Sequence, residues 1–84
     1  MSELLQRIGD GGSPTQVLRT ILSQNPSLTN HDLASMFVRR FPQVRATANN
    51  VIWYWRSPAR PDGPLDDALV DSELSRLLHD AGYR

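Results

Sequence analysis

The 84-residue chain contains no cysteine and no lysine. Without cysteine there is neither a disulfide framework nor thiolate chemistry. That absence fits a reducing, cytoplasmic compartment. No stretch approaches the roughly 18 apolar residues of a membrane helix, so no membrane partner is expected. The opening "MSELLQRIGDGG" lacks the apolar run and basic flank of a signal peptide. The chain has the length of one small domain, 1–84. A fold of this size buries about 60–65% of the surface of its extended chain. A deep cofactor pocket would consume much of such a core, and no cofactor is expected.

Metal and hydrolytic chemistry are also poorly supplied. The two histidines, His31 and His79, fall in different helical segments and off their apolar stripes. Both read as solvated. Asp62, Asp66 and Asp67 lack the alternating ligands and closing glutamate of a calcium loop. "GDGGSP" precedes a helix but lacks the Gly-Lys-Ser/Thr of a phosphate loop. No two acids are placed for carboxylate-pair catalysis. No catalytic residue and no metal ligand is assigned, and no enzyme is expected.

What is present is helical. Residues 2–8 suit a short helical turn, and "GDGG" breaks it, leaving 1–12 as a flexible N-terminal segment. Ser13 caps a helix over 14–24, with Pro14 at its first position and Gln16 completing a capping box. Val17, Leu18, Ile21 and Leu22 form its stripe. Thr29 and Asp32 form a second box for a helix over 29–41, with Leu28 and Leu33 as its staple. Leu33, Ala34, Met36, Phe37 and Phe41 share one face, Arg39 points away and Arg40 sits at the edge. Thr47 caps a helix over 48–56. Asp66 caps a last helix over 67–81, with Leu65 and Val70 as staple and Gly82 closing it. The expected fold is all-α, a small compact bundle of four main helices with the short helical turn ahead of them. Its core should contain Val17, Ile21, Leu33, Phe37, Phe41, Val51, Trp55, Leu74 and Leu77.

The segment "VIWYW", Val51 to Trp55, is less uniform than it looks. On a helix, Ala48, Val51, Ile52, Tyr54 and Trp55 share a broad apolar face, whereas Trp53 falls about 200° from Val51. Asn49, Asn50 and Arg56 lie on the side of Trp53. All five residues of the segment also have high strand propensity, so a strand is the alternative. The segment "SPARPDGP" that follows reads as a stiff, non-helical connector. Trp53 either faces a partner or packs beneath those prolines.

Charge is segregated although the total is zero. Residues 1–38 sum to −1, residues 39–60 to +5 and residues 61–84 to −4. The middle cations are Arg39, Arg40, Arg45, Arg56 and Arg60, and arginine contacts phosphate or carboxylate in a bidentate way. A bias of genome composition gives the same arginine preference.

The apolar-alanine pair Leu33-Ala34 on one helix, followed after a turn by Val51 and Tyr54 three apart on the next, resembles the helix-turn-helix superfamily of DNA-binding domains. The resemblance covers residues 29–56, one third of the chain. The segment "RRFPQVRATAN" is about seven residues longer than the family's short turn, and it has no glycine. The resemblance implies binding of double-stranded DNA through the helix near 48–56. Asn49, Asn50, Trp53 and Arg56 would then read bases, and Arg39, Arg40, Arg45 and Arg60 would hold phosphates. The other function in view is a protein-interaction module or small homodimer centred on Trp53 and the arginine-rich middle. Tryptophan and arginine are the residues that dominate interface energetics. In a homodimer, or within one chain, the basic and acidic segments can pair.

Overall fold

The helices form where the chain offers partners for their unsatisfied ends. The structure, a computed structural model, describes residues 2–44 and 46–84, with side chains from Leu4 onward. It contains α1 (Ser2–Gly9), α2 (Pro14–Gln24), α3 (Asn30–Arg40), α4 (Thr47–Trp53) and α5 (Asp67–Asp80). Pro14 opens α2, where its missing N–H is not needed. The Ser13 hydroxyl accepts the Gln16 N–H at 3.4 Å. The Gln16 side chain does not complete the expected box. A carboxylate from α5 supplies the stronger acceptor instead: Asp71 accepts the Ser13 hydroxyl at 2.9 Å, the Thr15 N–H at 2.8 Å and the Thr15 hydroxyl at 3.0 Å. A terminal need of α2 is thus turned into a tertiary bond.

The capping box of α3 forms in both directions. The Asp32 N–H donates to Thr29 Oγ1 at 3.2 Å, and the Thr29 N–H donates to Asp32 Oδ2 at 2.9 Å. The backbone N–H of Thr29 holds the Asp32 carboxyl below its ordinary value, with the Thr29 hydroxyl adding to it. Asp66 caps α5 by accepting the Leu69 N–H at 2.9 Å. At the other end Gly82 adopts φ 87°, and the Tyr83 N–H reaches the Leu78 carbonyl at 2.9 Å. This is the glycine-closed helix end expected from the sequence.

α4 departs from expectation at both ends. Ala46, not Thr47, is its N-cap, and no side chain bonds there; Thr47 is already helical. The helix stops at Trp53 rather than at residue 56. The reason is tertiary. The Leu65 N–H donates to the Tyr54 carbonyl at 3.0 Å and the Arg56 N–H to the Leu65 carbonyl at 2.7 Å, so Trp55 and Leu65 form an isolated parallel bridge. A second bridge joins Ser57 and Arg60 around a Pro58–Ala59 turn. Among the described residues there is no longer strand. The strand tendency of "VIWYW" is expressed only at its last residue.

The core lies where the stripes meet. Leu5 and Ile8 of α1 join Val17, Leu18, Ile21 and Leu22 of α2. Leu33, Ala34 and Phe37 of α3 pack with Ala48, Val51 and Ile52 of α4. Val70, Leu74, Leu77 and Leu78 of α5 close the bundle, with Phe41, Val44 and Trp55 filling the gaps. Every core residue expected from the sequence is buried. α3 and α4 share the most extensive contact, and α5 packs against both α2 and α4. The Cα radius of gyration is 11.3 Å. That is close to the roughly 12 Å of a single compact domain of this length. Arg84 ties the two ends of the chain together: its guanidinium donates to the Ile8 carbonyl at 2.6 and 2.9 Å and to the Gly12 carbonyl at 2.6 Å.

Gly63 lets the connector lie on Trp55. A Cβ there would come 2.5 Å from the Trp55 carbonyl oxygen and 2.7 Å from the Arg56 nitrogen. Both are backbone atoms and neither can swing aside. Gly63→Ala should cost about 1–3 kcal/mol, the usual range for overpacking. It is read as a lower urea midpoint at unchanged slope; an unchanged midpoint would show that the connector is not seated as described.

Candidate functional site

Two tryptophans two residues apart take opposite roles. Trp55 is fully buried. Its indole Nε1–H donates to Asp67 Oδ1 at 2.8 Å, and the Arg19 guanidinium lies 5.3 Å from its ring centroid. Arg19 also grips Asp67 through two bonds, at 2.9 and 3.1 Å. That pairing is the main reason the Asp67 carboxyl is held below its ordinary 3.8; the indole adds to it and partial burial opposes it. The pair therefore stabilises the fold above that pH and loses its effect as the pH falls through the lowered value. Its side chains are 42% and 44% exposed, so solvent screening keeps its contribution small.

Trp53 is 39% exposed and Tyr54 46%. The outward position of Trp53 is as expected. Tyr54 was expected on the inner face and is not there: the helix has ended, so the helical angle no longer governs it. Trp53 is too exposed to be buried beneath the prolines, and it lies against His31, with ring centroids 5.3 Å apart at 41°. Arg60 lies over Tyr54, 5.2 Å from the ring centroid, and its Nη1 donates to the Trp53 carbonyl at 2.6 Å. These residues, with Thr29, Asn30 and Ala59, line an open groove of about 460 Å³.

Asn30 holds the groove's floor. It is only 6% exposed. Its Nδ2 donates to the Trp53 carbonyl at 3.2 Å and the Trp55 carbonyl at 2.9 Å, and its Oδ1 accepts the Ser57 hydroxyl at 2.5 Å. Ser57 Oγ in turn accepts the Ala59 and Arg60 N–H groups, both at 3.1 Å. One amide from the first residue of α3 thus satisfies the carbonyls that α4 leaves open, and it sets the turn that carries Arg60. Among the described residues no buried side-chain nitrogen or oxygen lacks a partner.

The residues proposed for base reading are not kept together. Asn50 and Trp53 are exposed on α4 and Asn49 is half-buried there. Arg56 lies beyond the helix end, on the connector, with its Nε donating to the Gly63 carbonyl at 2.9 Å. The phosphate candidates are dispersed as well. Arg39 is exposed at the end of α3. Arg40 is half-buried, with its guanidinium 5.1 Å from the Phe41 centroid. Arg60 belongs to the groove, at the opposite end of α3, and Arg45 lies outside the described residues. His31, expected as a solvated histidine, is exposed but forms part of the groove wall.

Charge pairing within the chain does not follow the segregated segments. The ion pairs are Arg19–Asp67, Arg76–Glu73 and Arg76–Asp80, all on α2 and α5. Among the described residues, none of Arg39, Arg40, Arg56 and Arg60 pairs with an acid. Among the described residues, no ion pair joins the basic segment to the acidic one. Among the same residues, no three His, Cys, Asp or Glu side chains cluster to hold a metal ion, and no helix is long and apolar enough to cross a membrane.

No protein-family model, curated protein or solved structure matches the chain.

Proposed function

We propose that the chain is a non-enzymatic interaction module whose Trp53–Tyr54 groove receives a protein partner. The observation that carries this is the pair of large aromatic side chains left 39% and 46% exposed around a single groove. Arg60 and His31 give it the aromatic-and-arginine character of an interface centre.

Binding of duplex DNA through α4, the function implied by the helix-turn-helix resemblance, is less favoured. α4 has seven residues, about 10 Å of helix, and Arg56 is not on it. Its neighbour α5 carries Asp67, Asp71, Glu73 and Asp80.

The test compares wild type with Trp53→Ala in a cross-linked pull-down, beside a titration with mixed-sequence duplex. A protein partner predicts cross-linked species that are at least tenfold weaker in the variant, and no duplex binding at about 50 mM salt. Duplex binding that falls steeply with salt, with no protein captured through Trp53, would overturn it.

A further inference from the structure

We infer that the groove's occupant is a second copy of this chain, presenting Leu69 and the acids around it. This deepens the reading of the groove as an interaction site and rests on it. Leu69 is 52% exposed, the third large apolar side chain left in solvent beside Trp53 and Tyr54. A lone exposed leucine is ordinary. This one stands among acids: Asp66 lies three residues before it and Glu73 four residues after it, on neighbouring helical positions. Asp62 precedes them on the connector. Asp62 and Asp66 are exposed, and neither makes an ion pair among the described residues.

The other half of the match is the groove. Its walls are aromatic, Arg60 sits on its rim, and among the described residues neither Arg60 nor Arg56 makes an ion pair. Glu73 is paired with Arg76, so the open charges of the Leu69 knob are Asp62 and Asp66, and among the described residues no ion pair joins them to the Arg60 rim of the groove. The net charge of zero means that two copies approach without overall repulsion.

The two patches flank the same connector. The Leu65 N–H bonds the Tyr54 carbonyl at 3.0 Å, and Leu69 lies four residues on, in the first turn of α5. Two copies related by a two-fold axis can therefore exchange knob for groove twice, which closes the assembly. A stable contact of about 800 Å² per partner is roughly one sixth of the 4818 Å² the monomer exposes.

Sedimentation equilibrium from about 10 μM to about 1 mM tests this, because self-association follows mass action. Wild type should dimerise within that range and weaken with added salt. Trp53→Ala and Leu69→Ala should each weaken association at least about 30-fold while keeping the helical circular dichroism of wild type. Leu69→Lys, which reverses the sign of the knob, should be monomeric too. An equimolar mixture of Trp53→Ala and Leu69→Ala should recover association, because it pairs one intact groove with one intact knob. A wild type that stays monomeric at about 1 mM, or a mixture no more associated than its components, would overturn the inference. If wild type is monomeric but captures a foreign protein through Trp53, the groove remains an interaction site and the second copy is excluded. Monomeric behaviour with no Trp53-dependent capture removes both.

Discussion

Trp55→Ala will strongly destabilise the domain, whereas Trp53→Ala, two positions earlier, will cost it little. Trp55 is the largest fully buried side chain. Its truncation should cost about 3–5 kcal/mol from lost burial and the cavity left behind. It also removes the indole donor from Asp67 and the ring beneath Arg19. Small domains have about 5–15 kcal/mol in total, so the loss takes a large share of it and should drop the urea midpoint far below that of wild type. Trp53 is already partly in solvent and loses mainly its contact with His31. That change should cost about 1 kcal/mol. Urea titration followed by circular dichroism separates the two. Equal midpoints for both variants would contradict the assignment of one tryptophan to the core and the other to the surface.

Asn30→Ala should be the most damaging polar substitution. It deletes three hydrogen bonds and leaves the Trp55 carbonyl and the Ser57 hydroxyl proton without that partner in a buried setting, while the Trp53 carbonyl keeps its bond from Arg60. These losses cost about 2–4 kcal/mol together. For a chain of this length that lowers the melting temperature by about 10 °C or more. The loss is also local. Ser57 fixes the turn carrying Ala59 and Arg60, so their amides should exchange faster than those of α2 and α5 under native conditions. A melting temperature within about 2 °C of wild type would show that Asn30 is not the fastening between α3 and the connector.

The contrast between these residues shows what a sequence discloses. Trp55 was legible as core because it falls on the same side as Val51 and Ile52, and the tertiary structure kept it inside even after the helix ended. The starts of α2, α3 and α5 were legible because Ser13, Thr29 and Asp66 act through bonds to residues three positions on. Such bonds are local, and local chemistry is written in adjacent letters. Thr47 was misread for the same reason: a good capping residue was present, but the chain entered the helix one residue earlier. Tyr54 was misread because Leu65, eleven residues away, supplied a backbone partner that ended α4. Asp71, which replaced Gln16 at the start of α2, lies still farther off.

The groove was half visible. Trp53 announced itself by falling off the stripe of its helix, but His31 and Arg60 reach it only through the fold. Asn30 left one unused signal. It falls about 60° from Leu33, on the inward face of its helix, where a polar side chain demands partners.

The central claim is that Trp53 is an accessible group that meets protein, while Trp55 holds the fold. The chain has two tryptophans, so a proton–nitrogen spectrum of the folded protein holds two indole N–H signals. The Trp55 signal, bonded to Asp67, should be slow to exchange with solvent and should stay in place throughout. The Trp53 signal should exchange quickly. It should move or broaden as protein concentration rises toward about 1 mM, and stay unmoved by mixed-sequence duplex at about 50 mM salt. A Trp53 signal that ignores protein concentration but follows the duplex would contradict the account.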